Sequence, residues 1–271
     1  MDKKKILAAG GDIRMLYAAA RLSDIYDVEI TGFSAKKLPV NVQELFAGIK
    51  QQTGRIADVL LLPPVVLDRR GKLNAPFCEK ETEISDVMES ISSGGTVLMG
   101  IKGEEIKDAV QEKSLYYYNY MEDNALALAN AVPTAEAAMK IIMEETGSTI
   151  WGSRIFVTGF GRIGSVLTDR LVKMGADVTT AARKEYDRMR IKAMGGKPER
   201  ITPDSKALSE AEVIINTVPA RIFGEREFMC MKKGCVFIEL ASAPGGADKN
   251  EAEKHGCKYV CASGLPAFEM H

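Results

Sequence analysis

The stretch Gly159-Phe160-Gly161-Arg162-Ile163-Gly164 constrains the fold of this chain more than any other. Three glycines at this spacing carry little weight alone; they carry much more when a strand precedes them and a helix follows. Here Ile155-Phe156-Val157 reads as the strand, and Ile163 to Met174 reads as an amphipathic helix. In that setting Gly159 allows the tight turn, Gly161 lets a pyrophosphate approach the backbone, and Gly164 lets helix and strand pack closely. The helix N-terminus supplies N–H groups and a positive dipole end for the phosphates. The alternative is a glycine turn in an empty α/β domain, and the strand–turn–helix context weighs against it.

Strand-like and helix-like segments alternate along the whole sequence, which predicts α/β architecture with parallel sheets. Lys5–Ala9, Val28–Thr31, Val59–Leu62, Thr96–Met99 and Leu115–Tyr118 read as strands of a first, flavodoxin-like or half-Rossmann domain. Arg154–Thr158, Asp177–Ala181, Glu212–Asn216, Cys235–Leu240 and Lys258–Cys261 read as strands of a second, Rossmann domain that binds NAD(P). The expected boundaries are 1–121 for the N-terminal, substrate-side domain, 122–148 for a helical connector and 149–271 for the Rossmann domain. Within the connector Pro133 should split the helix, one segment ending near Ala131 and another starting at Pro133, because proline suits a first turn and not a helix interior.

Composition narrows the function classes. A chain of 271 residues with 46% hydrophobic residues is long enough for one large or two medium cores. Its net charge of −1 gives no electrostatic reason to expect nucleic acid or an anionic membrane. No uninterrupted apolar run reaches the roughly 18–20 residues of a membrane span. The basic start Met1-Asp2-Lys3-Lys4-Lys5 leads into a strand too short for a signal peptide, so a cytoplasmic protein is expected. The five cysteines are then expected to be reduced and mostly buried. His255, Cys257 and Cys261 lie close in sequence, but no C-x-x-C pair exists and the two cysteines flank a strand, so no metal is expected.

The second strand of the Rossmann unit bears on cofactor choice. An acidic residue at its far end, about 20 residues after the glycines, would hold a ribose 2′-hydroxyl and favour NAD. Asp177 stands at the wrong end, and the far end carries Ala182, Arg183 and Lys184. Arg183 can fork onto a 2′-phosphate, which predicts NADP; a solvated basic loop is the alternative. Two more loops follow strands on the cofactor side, Asn216-Thr217-Val218-Pro219 and Ala241-Ser242-Ala243-Pro244-Gly245-Gly246. They should border ribose, nicotinamide and substrate, although Pro219 and Gly245 could equally be turn-makers. Gly10-Gly11-Asp12-Ile13-Arg14 lies at a similar turn but lacks the full fingerprint, so it predicts either a carboxylate site or a plain structural turn. The only histidines are His255 and His271, neither placed near these loops, so oxidation of a 2-hydroxy acid by a histidine base is disfavoured. Asn216 and Ser242 remain as candidates for catalysis, with no residue singled out.

Taken together, Gly10-Gly11-Asp12 with Arg14, Gly32-Phe33, Asp58 to Pro64, Asn130 to Glu136, the glycine fingerprint, Asn216 to Pro219, Leu240-Ala241-Ser242 and Pro244-Gly245-Gly246 resemble the dipicolinate synthase A subunits of spore-forming bacteria. The resemblance covers nearly the whole chain. It implies oxidation of a dihydrodipicolinate-type intermediate to pyridine-2,6-dicarboxylate during sporulation, with NADP⁺ accepting the hydride. It also implies a partner, the flavoprotein-like B subunit of dipicolinate synthase. A homo-oligomer is expected as well. The two substrate carboxylates would want cations or amide donors, for which Asp12 with Arg14, and Ser242, Gly245 and Gly246, are the candidates, with the substrate lying between the domains. After Gly264-Leu265-Pro266 the family pattern continues with Gly-Lys and a Thr-Ala-Gly helix, where this sequence reads Ala267-Phe268-Glu269-Met270-His271. That departure leaves a naturally shorter protein or a truncated one as alternatives. A second reading, from another class, is a dinucleotide-sensing module that regulates a partner without turnover.

Overall fold

The computed structural model describes residues 3–54, 56–100, 104–200, 202 and 205–263. The chain divides into two compact units, Met1–Leu126 and Ala127–His271, and each is described by itself. The departure after Pro266 and His271 lie outside the described residues.

The first unit runs β1 (Lys5–Ala9), α1 (Ile13–Ser23), β2 (Asp27–Thr31), α2 (Val40–Ala47), β3 (Lys50–Gln51), β4 (Ala57–Leu61), α3 (Ile84–Glu89), β5 (Ile91–Met99), α4 (Glu104–Glu112) and β6 (Tyr116–Asn119). Its strands form one parallel sheet in the order β3-β2-β1-β4-β5-β6. This is the doubly wound order that puts ligands outside the carboxyl ends of the strands. Strand β3 is the addition to the sequence reading; two exposed residues on a sheet edge give no periodic signal. Strand β1 is buried throughout, and its residues alternate between two cores. Leu7 and Ala9 join Leu60, Val97 and Ile106, while Ile6 and Ala8 join Leu16, Ile30 and Val42. A central strand covered on both faces is continuously apolar for that reason.

Helix α5 (Asn124–Thr146) follows, and the unit boundary falls in its first turn. It corrects the expected break at Pro133: one helix runs through. Proline removes the hydrogen bond to the Ala129 carbonyl from the ladder, but alanine-rich flanks favour helix. From Ala131 onward a buried face of Thr134, Ala135, Ala138 and Ile142 adds tertiary packing. By length and composition α5 is also long and apolar enough to cross a membrane, which the search for uninterrupted runs missed because Asn130, Thr134, Glu136 and Lys140 interrupt it. Ala135, Ala138 and Ile142 instead share a core with Ile155, Val157, Leu167 and Ile215 of the second unit.

The second unit continues with β7 (Arg154–Thr158), α6 (Arg162–Lys173), β8 (Asp177–Ala181), α7 (Glu185–Ala193), β9 (Lys197–Glu199), α8 (Lys206–Glu210), β10 (Val213–Asn216), α9 (Glu225–Cys230), β11 (Val236–Glu239), α10 (Lys249–Lys254) and β12 (Lys258–Cys261). Its parallel sheet has the order β12-β11-β10-β7-β8-β9, the same doubly wound plan. The direction of connection reverses between β7 and β10, so the ligand crevice should open above their carboxyl ends. Ile155 and Val157 face one core, and Phe156, with Ile214 and Phe237, faces the other.

Cysteine burial differs from expectation. Among the free cysteines Cys235 and Cys257 are buried, Cys78 is intermediate, and Cys230 and Cys261 are exposed. Cys257 stands just before β12 and Cys261 at its end, so a strand's length keeps them from converging with His255 on one ion.

Candidate dinucleotide-binding site

The fingerprint sits where the sheet reverses. Gly159 follows β7 with φ of +90°, a left-handed conformation that glycine adopts without strain. A Cβ there would stand 2.6 Å from Thr217 Oγ1 and 2.8 Å from Val218 Cγ2, so the first residues after β10 leave no room for a side chain. Gly164, in the first turn of α6, is tighter still: a Cβ would lie 2.2 Å from the Gly159 carbonyl oxygen. Thr217 Oγ1 donates to the Thr158 carbonyl at 2.7 Å and locks the two strand ends together. Gly161 is different. Its φ of −79° suits any residue, and a Cβ there would meet nothing within 4 Å. It caps α6 with no side-chain hydrogen bond, so the first-turn N–H groups of a twelve-residue helix face an open position. That is the environment a pyrophosphate requires.

The next layer is a row of polar residues aligned across the carboxyl edge: Thr158, Asn216 and Glu239 are register partners on β7, β10 and β11. All three are buried, Glu239 at 2% exposure. Thr158 Oγ1 donates to Asn216 Oδ1 at 2.6 Å, and the Val218 N–H donates to the same oxygen at 3.1 Å. Asn216 Nδ2 donates to the Val218 carbonyl at 3.0 Å and to Glu239 Oε1 at 2.6 Å. Glu239 also accepts from the Ala241 N–H at 3.0 Å and the Gly246 N–H at 2.7 Å. One buried carboxylate thereby fixes both ends of the loop 241–246. Gly246 must be glycine, since a Cβ would stand 2.4 Å from Asn216 Nδ2. Asn216 is fully buried, with both its amide oxygen and its amide nitrogen engaged. Ser242 is exposed on that loop, and its carbonyl accepts from the Gly245 N–H at 3.0 Å across a cis Ala243–Pro244 bond. Glu239 was missed from the sequence because a lone glutamate at a strand end gives no sign that it faces inward.

At the end of β8, Ala182 is buried and Arg183 and Lys184 are exposed. The Arg190 guanidinium lies over the Phe160 ring at 5.1 Å, so α7 reaches back to the fingerprint. Pro219 and Arg162 are exposed, while Ile163, Thr217 and Val218 are half-buried and Ala241 is buried.

In the first unit the corresponding turn is filled. Gly10 and Gly11 have φ of +66° and +88°, and the Gly11 N–H donates to the Asn74 carbonyl at 2.6 Å. A Cβ on Gly10 would lie 2.9 Å from that oxygen and from Leu73. The chain segment at 73–74 therefore packs against this turn and leaves Gly10 no room for a side chain. Asp12 caps α1 by accepting from the Arg14 N–H at 3.0 Å. The Arg14 side chain forks onto the same carboxylate, Nε at 2.9 Å and Nη2 at 2.7 Å. That hydrogen bond outweighs partial burial and raises the pKa of Arg14. Nearby Tyr120, raised by burial, donates to the Leu62 carbonyl at 2.7 Å and stays protonated at neutral pH. Arg14 is thus a matched charge rather than an unpaired cation.

His255 lies at the opposite, amino edge of its sheet. It bonds to Glu251 at 2.9 Å and stacks on Phe228. With Glu225 these groups come within 4.8 Å of one another, far along the strands from the glycines, and Lys254 also pairs with Glu251.

Residues 5–121 match the N-terminal domain of the dipicolinate synthase A subunit. Residues 125–246 match the NAD binding domain of D-isomer specific 2-hydroxyacid dehydrogenases, a likeness of the nucleotide-binding domain and not of a catalytic base. The A subunit of dipicolinate synthase from Bacillus subtilis (strain 168) is 27% identical over 97% of this chain and 89% of its own length. Among solved structures, the A subunit of dipicolinate synthase from Bacillus halodurans superposes with a TM-score of 0.83 at 27% identity, covering 98% of this chain and 91% of that one. The A chain of dipicolinate synthase from Bacillus subtilis gives 0.79 at 26% identity, covering 98% and 90%.

Proposed function

From a chain that is a relative of the dipicolinate synthase A subunits along almost its whole length, we propose an NADP-dependent oxidoreductase subunit that makes pyridine-2,6-dicarboxylate from a dihydrodipicolinate-type intermediate. The observation that carries the reading is the open Gly161 turn at the head of α6 within that similarity. Bound NADP⁺ would supply the hydride acceptor. The substrate ring would lose a hydride to the cofactor and a proton to water, and gain aromaticity. The protein's part is to bind and orient: α6 N–H groups for the pyrophosphate, the loops at 217–219 and 241–246 for ribose and nicotinamide, and Ser242 with the Gly245 and Gly246 amides for a substrate carboxylate. A flavoprotein-like B subunit, a second copy of this chain and a cytoplasmic setting in the mother cell of a sporulating bacterium belong to the same proposal. The test is to combine this chain with the B subunit, substrate and NADP⁺ and follow absorbance of reduced cofactor. Turnover supports the enzyme; tight cofactor binding with no turnover would favour the dinucleotide sensor instead.

Preference for NADP(H) over NAD(H) rests on Arg183 and Lys184, which stand at the end of β8 where an NAD site usually carries an acidic residue. A charge-assisted hydrogen bond contributes about 1.5–3 kcal/mol, roughly tenfold to a hundredfold in affinity. Arg183→Ala should weaken NADPH by that factor and leave NADH where it was, as titration calorimetry would read. Equal binding of both cofactors by the unmutated protein would remove the claim.

Arg14 is proposed to meet the second carboxylate through Nη1, the edge turned away from Asp12. Arg14→Met should raise the substrate KM about tenfold, with NADPH affinity unmoved because the residue belongs to the other unit. An unchanged KM in the reconstituted enzyme would reduce the Asp12–Arg14 pair to a helix cap.

A further inference from the structure

We propose that Arg188 is the positioning residue for 2′-phosphate recognition, holding the turn after β8 so that Arg183 points at the cofactor. The inference rests on the NADP reading above and adds a residue that never touches the ligand. Arg188 stands on α7, and its side chain is only 13% exposed, unusual for an arginine on a nine-residue surface helix. Its Nη1 donates to two successive carbonyls, Ala182 O at 3.0 Å and Arg183 O at 2.7 Å. These oxygens belong to the two peptide planes on either side of Arg183. Fixing both planes fixes φ and ψ at that residue, and with them the direction of its Cα–Cβ bond.

The rest of the turn is anchored as well. The Ala182 N–H donates to the Glu199 carbonyl of β9 at 2.9 Å, and the Arg188 N–H donates to the Lys184 carbonyl at 3.1 Å. Arg188 Nη2 pairs with Glu185, whose carboxylate is otherwise exposed immediately after the two basic residues. Unpaired, that carboxylate would repel a phosphate held by Arg183. Arg188 therefore acts twice, on the geometry of the turn and on the one acidic group beside it. Arg190 is placed differently, over the rings of Phe160 and Tyr186.

The test compares NADPH with NADH on the intact chain by titration calorimetry, with adenosine 2′,5′-bisphosphate and 5′-AMP as fragments differing in the 2′-phosphate. Arg188→Met should raise the NADPH dissociation constant about tenfold and leave NADH unchanged, with the same split between the fragments. Arg188→Lys keeps a cation, but its one nitrogen cannot reach Glu185 and both carbonyls at once as Nη1 and Nη2 together do, so it should recover only part of the loss. A lysine variant that keeps cooperative melting also guards against a methionine variant that does not fold. Parallel weakening of NADPH and NADH would make Arg188 a general strut of α7 and overturn the inference. Full NADPH selectivity in Arg188→Met, when Arg183→Ala has lost it, would overturn it too. An unmutated protein without preference is a different outcome, because it removes the NADP reading itself.

Discussion

Gly161→Val abolishes dinucleotide binding while the free protein stays folded, its melting temperature lowered only by the few degrees expected for a poorer helix N-cap. The two halves of this expectation have separate causes. The backbone at Gly161 has φ of −79°, and the position of its missing Cβ is open to 4 Å, so a Cβ enters without backbone strain or collision. The space it enters is the one through which a pyrophosphate would reach the α6 N–H groups. Calorimetry with NADPH should show no heat of binding at concentrations that saturate the parent. Normal binding would mean that the phosphates lie elsewhere. The neighbouring glycines make a useful contrast: valine at Gly159 or Gly164 meets Thr217 and backbone at 2.2–2.6 Å and should disturb the fold as well as the site.

Glu239→Gln is expected to destabilise the second unit by about 1–3 kcal/mol, the cost of leaving a buried donor unmet. The carboxylate accepts on both oxygens, from Asn216 and Ala241 on one and from Gly246 on the other. Glutamine has a single acceptor oxygen, and in either orientation its NH₂ group faces an N–H. Urea denaturation would read the loss, and a midpoint unchanged from the parent would mean that water relieves the clash. Because the same carboxylate shapes the loop at 241–246, cofactor affinity should fall together with stability.

The sequence made the scaffold legible and the network only in part. Long, periodic or fully apolar strands such as Lys5–Ala9 and Arg154–Thr158 were readable because burial on both faces leaves a continuous apolar run. The edge strands Lys50–Gln51 and Lys197–Glu199 were not, being too short and too exposed to carry a pattern. Pro133 misled because a local preference was overridden by packing that begins at Ala131. The glycines are legible through their spacing, and the strand–turn–helix setting expected around them is present. Glu239 and Arg188 were not legible, since a glutamate ending a strand and an arginine on a charged helix look like solvated residues until their hydrogen bonds are seen. Arg14 was legible as a cation, but not as one already matched by Asp12.

The contrast between the two glycine turns also bears on stoichiometry. Both sheets have the same strand order, and each begins its first crossover with glycines in left-handed conformation. In one, the α6 turn stands open. In the other, the Asp12 carboxylate already caps α1 and accepts from the Arg14 N–H, so the helix N-terminus is taken. A chain with two such scaffolds should therefore saturate with a single molar equivalent of nucleotide. A second equivalent would enter only after Asp12 had given up its hold on the α1 N-terminus.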